Sequence, residues 1–369
     1  MENTQEGLPT DQEFHHDLVS SLPLEEGMSP VRLRKYQGVW MSEYFLVGTM
    51  NAQRYFKSRP TDILLASYPK SGTTWLKALA FSTMTRTRHS FGCHPLHHLN
   101  PHECVPLLDE IAGSLESLSE IDAASDPRLI STHLPFSLLP ESIKSCGCRL
   151  IYVCREPKDT LVSRWHYHGK IVTNMGKSEV IPFEKMFDMF CDDIMPSGSI
   201  WEHALGYWNE KTQTPGRVLF LKYEEMLEDP TGTLTRLAEF MGCPFTEEEL
   251  RVGVPAEIVS LCSFGNLRDL AVQQNRRISP GGIMTTESYY RKGAAGDWRN
   301  HLSPEMAEKL DRITAKKLQG TAEGGRQLQL RSCMDFGLPY AKTKDSDDLT
   351  QLATERGGTG RTQGQRKKA

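Results

Sequence analysis

The sequence lacks the features that mark a membrane or secreted protein. In its 369 residues no window approaches the roughly 18 uninterrupted apolar residues that a membrane-spanning helix needs. Residues 1–18 are polar and mildly acidic, without the basic start and apolar core of a signal peptide. The nine cysteines, an odd number scattered along the chain, do not suit a disulfide scaffold. We therefore expect reduced thiols, a cytoplasmic location and no membrane as partner.

The chain also lacks a large excess of charge of either sign. Its 43 lysines and arginines against 47 aspartates and glutamates leave a formal net charge of −4. Such a chain has no global field that attracts nucleic acid, so we expect no nucleic-acid partner. An anionic ligand would need a local cluster of basic side chains.

Short apolar runs alternate with helical patterns through the centre of the chain. The runs predict strands over residues 62–68, 128–132, 149–154 and 218–223. Helices are predicted over residues 73–84, 157–170 and 231–241, and from Ser303-Pro304 to Gly320. This alternation is typical of an α/β fold: a single domain with a mostly parallel central sheet flanked by helices.

The two ends of the chain differ from its centre in composition. We interpret residues 1–34 as a flexible leader, residues 35–320 as the folded domain and residues 321–369 as a C-terminal extension. From about residue 341 the extension has hardly any large apolar side chain. It cannot bury enough surface to offset its ordering entropy, so we expect it to be largely disordered.

The most informative segment is Tyr68-Pro-Lys-Ser-Gly-Thr-Thr-Trp75, between the first predicted strand and its helix. The N–H groups that begin a helix have no intrahelical partner, and the helix dipole favours an anion there. A lysine and three hydroxyls crowd the same turn, at Lys70, Ser71, Thr73 and Thr74. The pattern predicts a P-loop-like strand-loop-helix that binds phosphate.

This turn differs from the loop of a nucleoside triphosphatase. In that loop, G-x-x-x-x-G-K-[ST], lysine directly follows the second glycine and the hydroxyl residue holds Mg²⁺. Here Lys70 precedes Gly72 by two residues, and Thr73 takes the place of the lysine. A nucleotide-binding kinase or NTPase is therefore the less favoured alternative, and we expect no metal.

In this loop the chain resembles the cytosolic sulfotransferases, which transfer a sulfuryl group from 3′-phosphoadenosine 5′-phosphosulfate (PAPS). The family's Y-P-K-[ST]-G-T-T-W is present as residues 68–75. Its R-x-P-K-D-x-x-x-S and R-K-G-x-x-G-D-W are matched by Arg155-Glu-Pro-Lys-Asp-Thr-Leu-Val-Ser163 and Arg291-Lys-Gly-Ala-Ala-Gly-Asp-Trp298. The three motifs stand in the family's order, and the resemblance covers about residues 35–320. Plant members are the most similar, and an inactive PAPS-binding relative is a further alternative.

The resemblance implies which residues bind PAPS as co-substrate. The 5′-phosphate end would be held by Lys70, Ser71, Gly72, Thr73 and Thr74. The 3′-phosphate, which suits a guanidinium fork and a hydroxyl, would be held by Arg155, Ser163, Arg291, Lys292 and Gly293. The adenine would pack among Trp75, Tyr223 and Phe264.

The resemblance also implies two catalytic residues, His133 and Lys70. His133 follows a predicted strand in the family's T-H-x-P motif, and neutral imidazole suits proton removal from a hydroxyl near pH 7. Lys70 would neutralise charge on the bridging oxygen of the leaving group. The chain departs from many relatives at Ser131, where they carry lysine, and at Cys262, where threonine is common.

The acceptor implied by the resemblance is a small hydroxylated molecule: a flavonoid, a steroid hormone such as a brassinosteroid, or a hydroxyjasmonate-like compound. Animal members dimerise through a K-x-x-x-T-V-x-x-x-E motif just after the third motif. Here Trp298 is followed by Arg-Asn-His-Leu-Ser-Pro304, and that motif is missing. We therefore expect a monomer, or a dimer that does not use the animal-type motif.

Overall fold

Two β-sheets organise the computed structural model of the chain, which describes residues 17–279 and 282–319. The strands, in chain order, are β1 (Leu24–Glu25), β2 (Leu33–Tyr36), β3 (Val39–Ser42), β4 (Ile63–Ser67), β5 (Leu129–Thr132), β6 (Arg149–Cys154) and β7 (Val218–Lys222). Strands β1–β2–β3 form an antiparallel sheet. Strands β5–β4–β6–β7 form a second sheet, in that order, and all its neighbours are parallel.

Helices connect and cover these strands. They are α1 (Glu43–Tyr55), α2 (Thr73–Thr85), α3 (Pro101–Cys104), α4 (Leu108–Ile111), α5 (Leu115–Ala123), α6 (Glu141–Ser145), α7 (Pro157–Asn174), α8 (Phe183–Cys191), α9 (Ile200–Gln213), α10 (Tyr223–Glu228), α11 (Pro230–Met241), α12 (Glu247–Arg251), α13 (Val254–Leu261), α14 (Phe264–Gln274) and α15 (Pro304–Gln319). Short 3₁₀ turns lie at Phe91–Cys93, Pro95–His97, Phe136–Leu138, Thr286–Tyr289 and Asp297–Asn300.

The parallel sheet is buried on both faces, as its apolar strands predicted. On one face Ile63 and Leu65 of β4 join a core with Leu76 of α2. On the other face Tyr152 of β6 stacks on Tyr207 of α9, with ring centroids 4.5 Å apart. The predicted α/β fold is confirmed: a mostly parallel sheet lies between helices and carries a P-loop-like strand-loop-helix from β4 to α2.

The predicted strands and helices agree with the observed ones to within four residues at each end. The largest difference is in α7, which continues to Asn174 because apolar and polar residues keep their helical spacing beyond residue 170. Sequence reasoning missed the antiparallel sheet, whose strands are too short to form apolar runs.

The expectation of a flexible leader is wrong for residues 24–34. Strands β1 and β2 pair there, and Met28 and Leu33 are buried in the core. Arg34 looks solvated in the sequence, but its guanidinium pairs with Glu43 at 2.6 Å and donates to the carbonyl of Leu22 at 2.7 Å. These contacts tie the leader's second half to α1.

Two sequence predictions concern residues outside the described part of the chain. They are the start of the leader, residues 1–16, and the disorder predicted from residue 341. Among the helices within residues 17–279 and 282–319, none combines the length and the apolar character that crossing a bilayer requires.

A buried ion pair joins β4 and β5 at the edge of the sheet opposite Lys70. Asp62 precedes β4 and Arg128 precedes β5, and the parallel register of these strands sets them side by side. Arg128 Nε and Nη2 donate to the two carboxylate oxygens of Asp62 at 2.8 and 2.6 Å, and both residues are 3% exposed. A bidentate pair of this kind aligns the two strands.

We expect Asp62→Ala to lower the free energy of unfolding by about 3–5 kcal/mol, because it leaves the buried Arg128 guanidinium without its main partner. Urea denaturation followed by circular dichroism measures this loss. The matched control is Glu308→Ala, which removes the exposed partner of Arg312 and should cost no more than about 1 kcal/mol. Similar losses in the two variants would contradict the importance of the buried pair.

Candidate active site

The loop from Tyr68 to Gly72 joins β4 to α2 at the carboxyl edge of the parallel sheet. Its backbone turns sharply, with φ values of +75° at Lys70 and +112° at Gly72. The buried hydroxyls of Ser67 and Thr73 lie 2.5 Å apart and close the turn across its base. The first N–H groups of α2, which have no partner within the helix, therefore face the edge at which open α/β sheets bind ligands.

The Lys70 ammonium lies over the Tyr167 ring, 4.2 Å from its centroid. Burial lowers the pKa of Lys70 to about 7, and the nearby cations Lys170, Arg164 and Arg155 lower it further. Negative charge brought into the cavity would raise the pKa of Lys70 again, because it favours the charged form of an amine. An anion bound next to Lys70 would therefore stabilise its ammonium form.

His133 follows the last residue of β5, beside the Lys70 loop. Its Nδ1 lies 2.8 Å from the carbonyl oxygen of Ser67. Since a carbonyl can only accept, Nδ1 carries the proton, and Nε2 is left with a free lone pair. Burial lowers the pKa of His133 to about 3, with Lys77, Arg164 and Lys70 also lowering it. The imidazole is therefore neutral at pH 7, in the tautomer that a base needs.

The loop that carries His133 is held from two sides. The Asp109 carboxylate accepts from the His133 N–H at 3.1 Å and from the Thr132 hydroxyl at 2.9 Å. On the other side, Nε2 of the buried His203 lies 3.1 Å from the His133 carbonyl, and its Nδ1 lies 2.9 Å from the Tyr152 hydroxyl. These contacts fix the backbone of His133 without using its ring.

A lysine and a histidine that sequence reasoning left without a role support the phosphate loop. Lys77 is fully buried on α2, and its ammonium lies 3.1 Å from Nδ1 of His102. His102 Nε2 lies 2.9 Å from the Thr74 hydroxyl oxygen, and the His102 ring stacks on Tyr289 at 3.9 Å. An ammonium can only donate, so Nε2 carries the proton and donates to Thr74. The hydroxyl proton of Thr74 is then free for a ligand.

Cationic side chains lie next to the loop, at the end of β6 and at the start of the third motif. Arg155 Nη1 donates to the Lys70 carbonyl at 3.3 Å and Nη2 to the Ala294 carbonyl at 2.9 Å, while its Nε is buried without a partner. Arg291 and Lys292 both contact the Asp297 carboxylate. The Asp159 carboxylate lies 4.0 Å from Arg155 Nη2 and also accepts from two backbone N–H groups.

Aromatic rings and two glycines shape the rest of the cavity. Trp75 and Tyr223 meet edge to face, with centroids 5.9 Å apart. A Cβ at Gly72 would lie 2.7 Å from the Tyr223 ring, and one at Gly293 would lie 2.3 Å from the Phe264 ring. Only glycine allows the backbone to approach these rings so closely.

One cavity of about 510 Å³ brings the predicted site residues together. Its lining includes Lys70, Gly72, Thr73, Thr74, Trp75, His133, Arg155, Ser163, Tyr223, Phe264, Arg291, Lys292 and Gly293. Ser71 does not line it; this side chain is fully buried and its hydroxyl has no partner. Among the described residues no group of three or more metal-ligating side chains is arranged to hold an ion.

The two departures from the family pattern lie in different surroundings. Ser131 is fully buried and donates to the Pro106 carbonyl at 2.8 Å, so it does not reach the cavity. Cys262 lines the cavity, and its sulfur lies 3.4 Å from the Ser82 hydroxyl. Burial raises the pKa of the Cys262 thiol to about 12, so it is a neutral wall residue at pH 7.

The sequence indicates the face of α2 on which Lys77 lies, but not its burial. Lys77 stands four residues after Thr73, so it lies on the same face of α2 as that residue. Asp109 carried no such signal, because the contact to His133 spans 24 residues and depends on the tertiary fold. Together these residues build a cavity that pairs a cation-rich, aromatic-walled region with a neutral imidazole.

A family model and several known proteins match this chain over most of its length. A family model described as "Sulfotransferase domain" matches residues 60–322. Cytosolic sulfotransferase 8 of Arabidopsis thaliana is 41% identical over 307 residues, covering 82% of this chain and 91% of that relative. Flavonol 3-sulfotransferase of Flaveria bidentis is 43% identical over 291 residues, covering 78% of this chain and 92% of that relative.

Solved structures agree with the sequence relatives. A crystal structure of an Arabidopsis thaliana sulphotransferase matches with a TM-score of 0.66 at 33% identity, over 86% of this chain and 99% of that one. Mouse sulfotransferase SULT7A1, complexed with PAP, matches with a TM-score of 0.62 at 27% identity, over 81% of this chain and 99% of that one.

We expect Gly72→Ala to lower the free energy of unfolding by about 2–4 kcal/mol, because left-handed backbone strain adds to the contact with Tyr223. Thermal and urea denaturation measure the loss. The matched control is Gly147→Ala, whose φ is +75° but whose Cβ would meet nothing within 4 Å. This control should cost about 1–2 kcal/mol, the backbone strain alone. Equal losses would show that the Tyr223 contact is without consequence.

Proposed function

The chain belongs to the sulfotransferase family as a plant-type member, and we propose that it transfers a sulfuryl group from PAPS to a hydroxyl group of a small organic acceptor. The family makes it a transferase; the donor, the acceptor and the residue roles are the content of the proposal. Its main support is that a neutral imidazole with a free Nε2 and a lysine on an anion-binding loop line the same cavity.

The choice of PAPS rests on several cations and three aromatic rings that line one cavity. Lys70 and the start of α2 would bind the 5′-phosphate end, while Arg155 and Arg291 would bind the 3′-phosphate that ordinary ATP lacks. Trp75, Tyr223 and Phe264 would pack around the adenine. The buried Nε of Arg155 is an unpaired donor on this side of the cavity, which suits a ligand rich in acceptor oxygens. When bound, PAPS supplies an activated sulfuryl group, and PAP is its nucleotide product.

His133 would act as the general base. Its Nε2 lone pair can take the acceptor's hydroxyl proton while Nδ1 keeps its hydrogen bond to Ser67. The pKa of about 3 belongs to the cavity without anionic ligand, where burial and three cations oppose a second proton. The negative charge of a bound donor stabilises the imidazolium that forms, so the ring becomes a stronger base when both substrates are present.

Lys70 would act where charge develops during transfer. As the bond between sulfur and the bridging oxygen breaks, negative charge grows on that oxygen. An ammonium on the loop stabilises this charge more than it stabilises the bound donor, and only that difference raises the rate. Lys70 and the N–H groups of α2 thus supply the positive potential that Mg²⁺ supplies in kinases.

We infer the class of acceptor and the cellular compartment from the names of the relatives. A hydroxylated plant metabolite, of the class to which flavonols belong, would enter from the apolar side of the cavity. The cytoplasm would be the site of the reaction, the location in the names of the Arabidopsis relatives.

We expect His133→Gln to reduce kcat by about 10²- to 10⁴-fold, because glutamine can replace the hydrogen bond to Ser67 but cannot take a proton. Affinity for PAP, measured by isothermal titration calorimetry, should stay nearly unchanged. His98→Gln, at an exposed histidine, is the control and should keep wild-type turnover. Near-normal turnover of His133→Gln at saturating acceptor would refute the base assignment.

We expect kcat/KM for PAPS to fall as pH rises through about 7, because Lys70 loses its charge there in the ligand-free enzyme. A lowered lysine pKa means that the charged form is present below this pH and is lost above it. Rates measured between about pH 7 and pH 9 avoid titration of the donor's own phosphate, whose second pKa is about 6.

Lys70→Arg is the matched variant for this profile. Arginine stays protonated throughout the range, so its kcat/KM should be flat where the wild type declines. A wild-type profile that is flat to pH 9, or a Lys70→Arg profile that declines in the same way, would contradict the assignment of the titration to Lys70.

A further inference from the structure

Helix α7 turns one face toward the cavity. Arg164, His168, Ile171 and Met175 follow each other at intervals of four, three and four residues, and all four line the cavity. This spacing places them in one stripe along the helix and its C-cap. Ser163, which faces the donor loop by the family resemblance, is rotated by about 100° from Arg164. The stripe therefore faces a different part of the cavity from Ser163.

Arg164 is buried in this stripe, with no carboxylate partner among the described residues. Its side chain is 6% exposed, and its Nε has no hydrogen bond. Among the described residues no carboxylate pairs with it, and its nearest ring is Tyr68, whose centroid lies 5.9 Å from Cζ. Arg32, the other arginine near this side, already pairs with Glu43 at 3.5 Å and Glu26 at 3.8 Å. Arg164 is thus the cation left for a ligand on this stripe.

An unpaired buried guanidinium is costly. Arginine does not lose its proton in proteins, so it cannot escape the cost by becoming neutral. Burying it without a counter-charge destabilises the fold, and the same position filled by leucine would avoid the penalty. A bound anion removes the penalty and gains two parallel hydrogen bonds.

We propose that Arg164 binds a carboxylate of the acceptor, and that the acceptor is a hydroxylated carboxylic acid with an apolar body. The inference rests on the proposed function, since it concerns the acceptor of that reaction. The apolar body would lie against side chains that line the same cavity: Met28, Val31, Phe45, Ile171 and Met175.

A carboxylate fits this position better than the donor's sulfuryl group or a phosphate does. A single guanidinium balances a single negative charge, whereas a phosphate dianion would be under-compensated between apolar walls. The donor end already has its own cations in Lys70, Arg155, Arg291 and Lys292. Arg164 also lies close enough to lower the pKa of His133 and of Lys70, so the carboxylate would sit near the reacting hydroxyl.

The test compares an acid with its own ester as acceptors. Hydroxyphenylpropanoate and its methyl ester share the hydroxyl and the apolar body and differ by one negative charge. Wild-type enzyme should show a kcat/KM about 10- to 100-fold higher for the acid, the value of a charge-assisted pair in a buried site. Arg164→Leu should bring the ratio close to one, and Arg164→Lys should keep part of it. Arg312→Leu, at an exposed arginine on α15, should keep the wild-type ratio.

Ligand binding gives a readout that does not depend on turnover. The acid should raise the melting temperature of the PAP-loaded wild type more than the ester does, and this difference should vanish in Arg164→Leu. Without ligand, Arg164→Leu should melt at or above the wild-type temperature, because it removes a buried unpaired charge. Arg164→Gln, which removes the charge and keeps a polar side chain, is a second variant in both assays.

Three outcomes overturn the proposal. Equal kcat/KM for acid and ester in the wild type would show that the enzyme does not recognise the carboxylate. Equal loss of both substrates in Arg164→Leu would assign Arg164 to the transferring sulfuryl group instead. A lower melting temperature of ligand-free Arg164→Leu would make the arginine structural. Failure of the donor assignment looks different: PAP would give no thermal shift, while the acid and ester can still be compared on the donor-free protein.

Discussion

The hydrogen bond from His133 Nδ1 to the Ser67 carbonyl joins the two halves of the site. It depends on the parallel register of β4 and β5, which sets Ala66 opposite Thr132 and so brings the ends of both strands to one edge. One strand end leads into the anion loop and the other into the base. The same bond selects the tautomer of His133, because a carbonyl accepts only from a protonated nitrogen. The sheet therefore fixes both the position and the protonation of the imidazole.

The cavity carries positive charge that its own side chains do not balance. Lys77 is buried against a neutral imidazole, Lys70 lies over a phenol ring, and Arg164 has no carboxylate partner in the described part of the chain. Each of these cations costs stability, and each lowers the pKa of His133. The hydrogen bonds that hold the His133 loop, and the packing on both faces of the parallel sheet, offset that cost in stability. Binding of anions would complete the charge balance, raise the basicity of the neutral His133 and favour the charged form of Lys70.

The sequence predicted the parallel sheet, and its three motifs contain residues that line one cavity, for a local reason. Each apolar run is a whole strand, and each donor motif is a contiguous stretch whose residues meet because they are neighbours in the chain. The antiparallel sheet was missed because β1 to β3 have two to four residues each and mix charged with apolar side chains. Lys77 was missed because a lysine in an amphipathic helix is usually solvated. Its burial follows from the packing of α2 against α3, where His102 lies, and nothing in the local sequence carries that information.

The acceptor side is assembled in the opposite way. Its walls come from Met28 and Val31 in the leader, Phe45 on α1, and the α7 stripe, which are brought together by the tertiary fold alone. These residues are far apart in the sequence and form no short motif. Sequence motifs can therefore indicate candidate residues of the donor side, but not those of the acceptor side. The two sides nevertheless meet on α7, where the consecutive residues Ser163 and Arg164 both line the cavity and, in our proposal, contact different ligands. Because a change at residue 164 alters the charge of the acceptor wall without moving the backbone that holds Ser163, acceptor charge preference can change while the donor site stays intact.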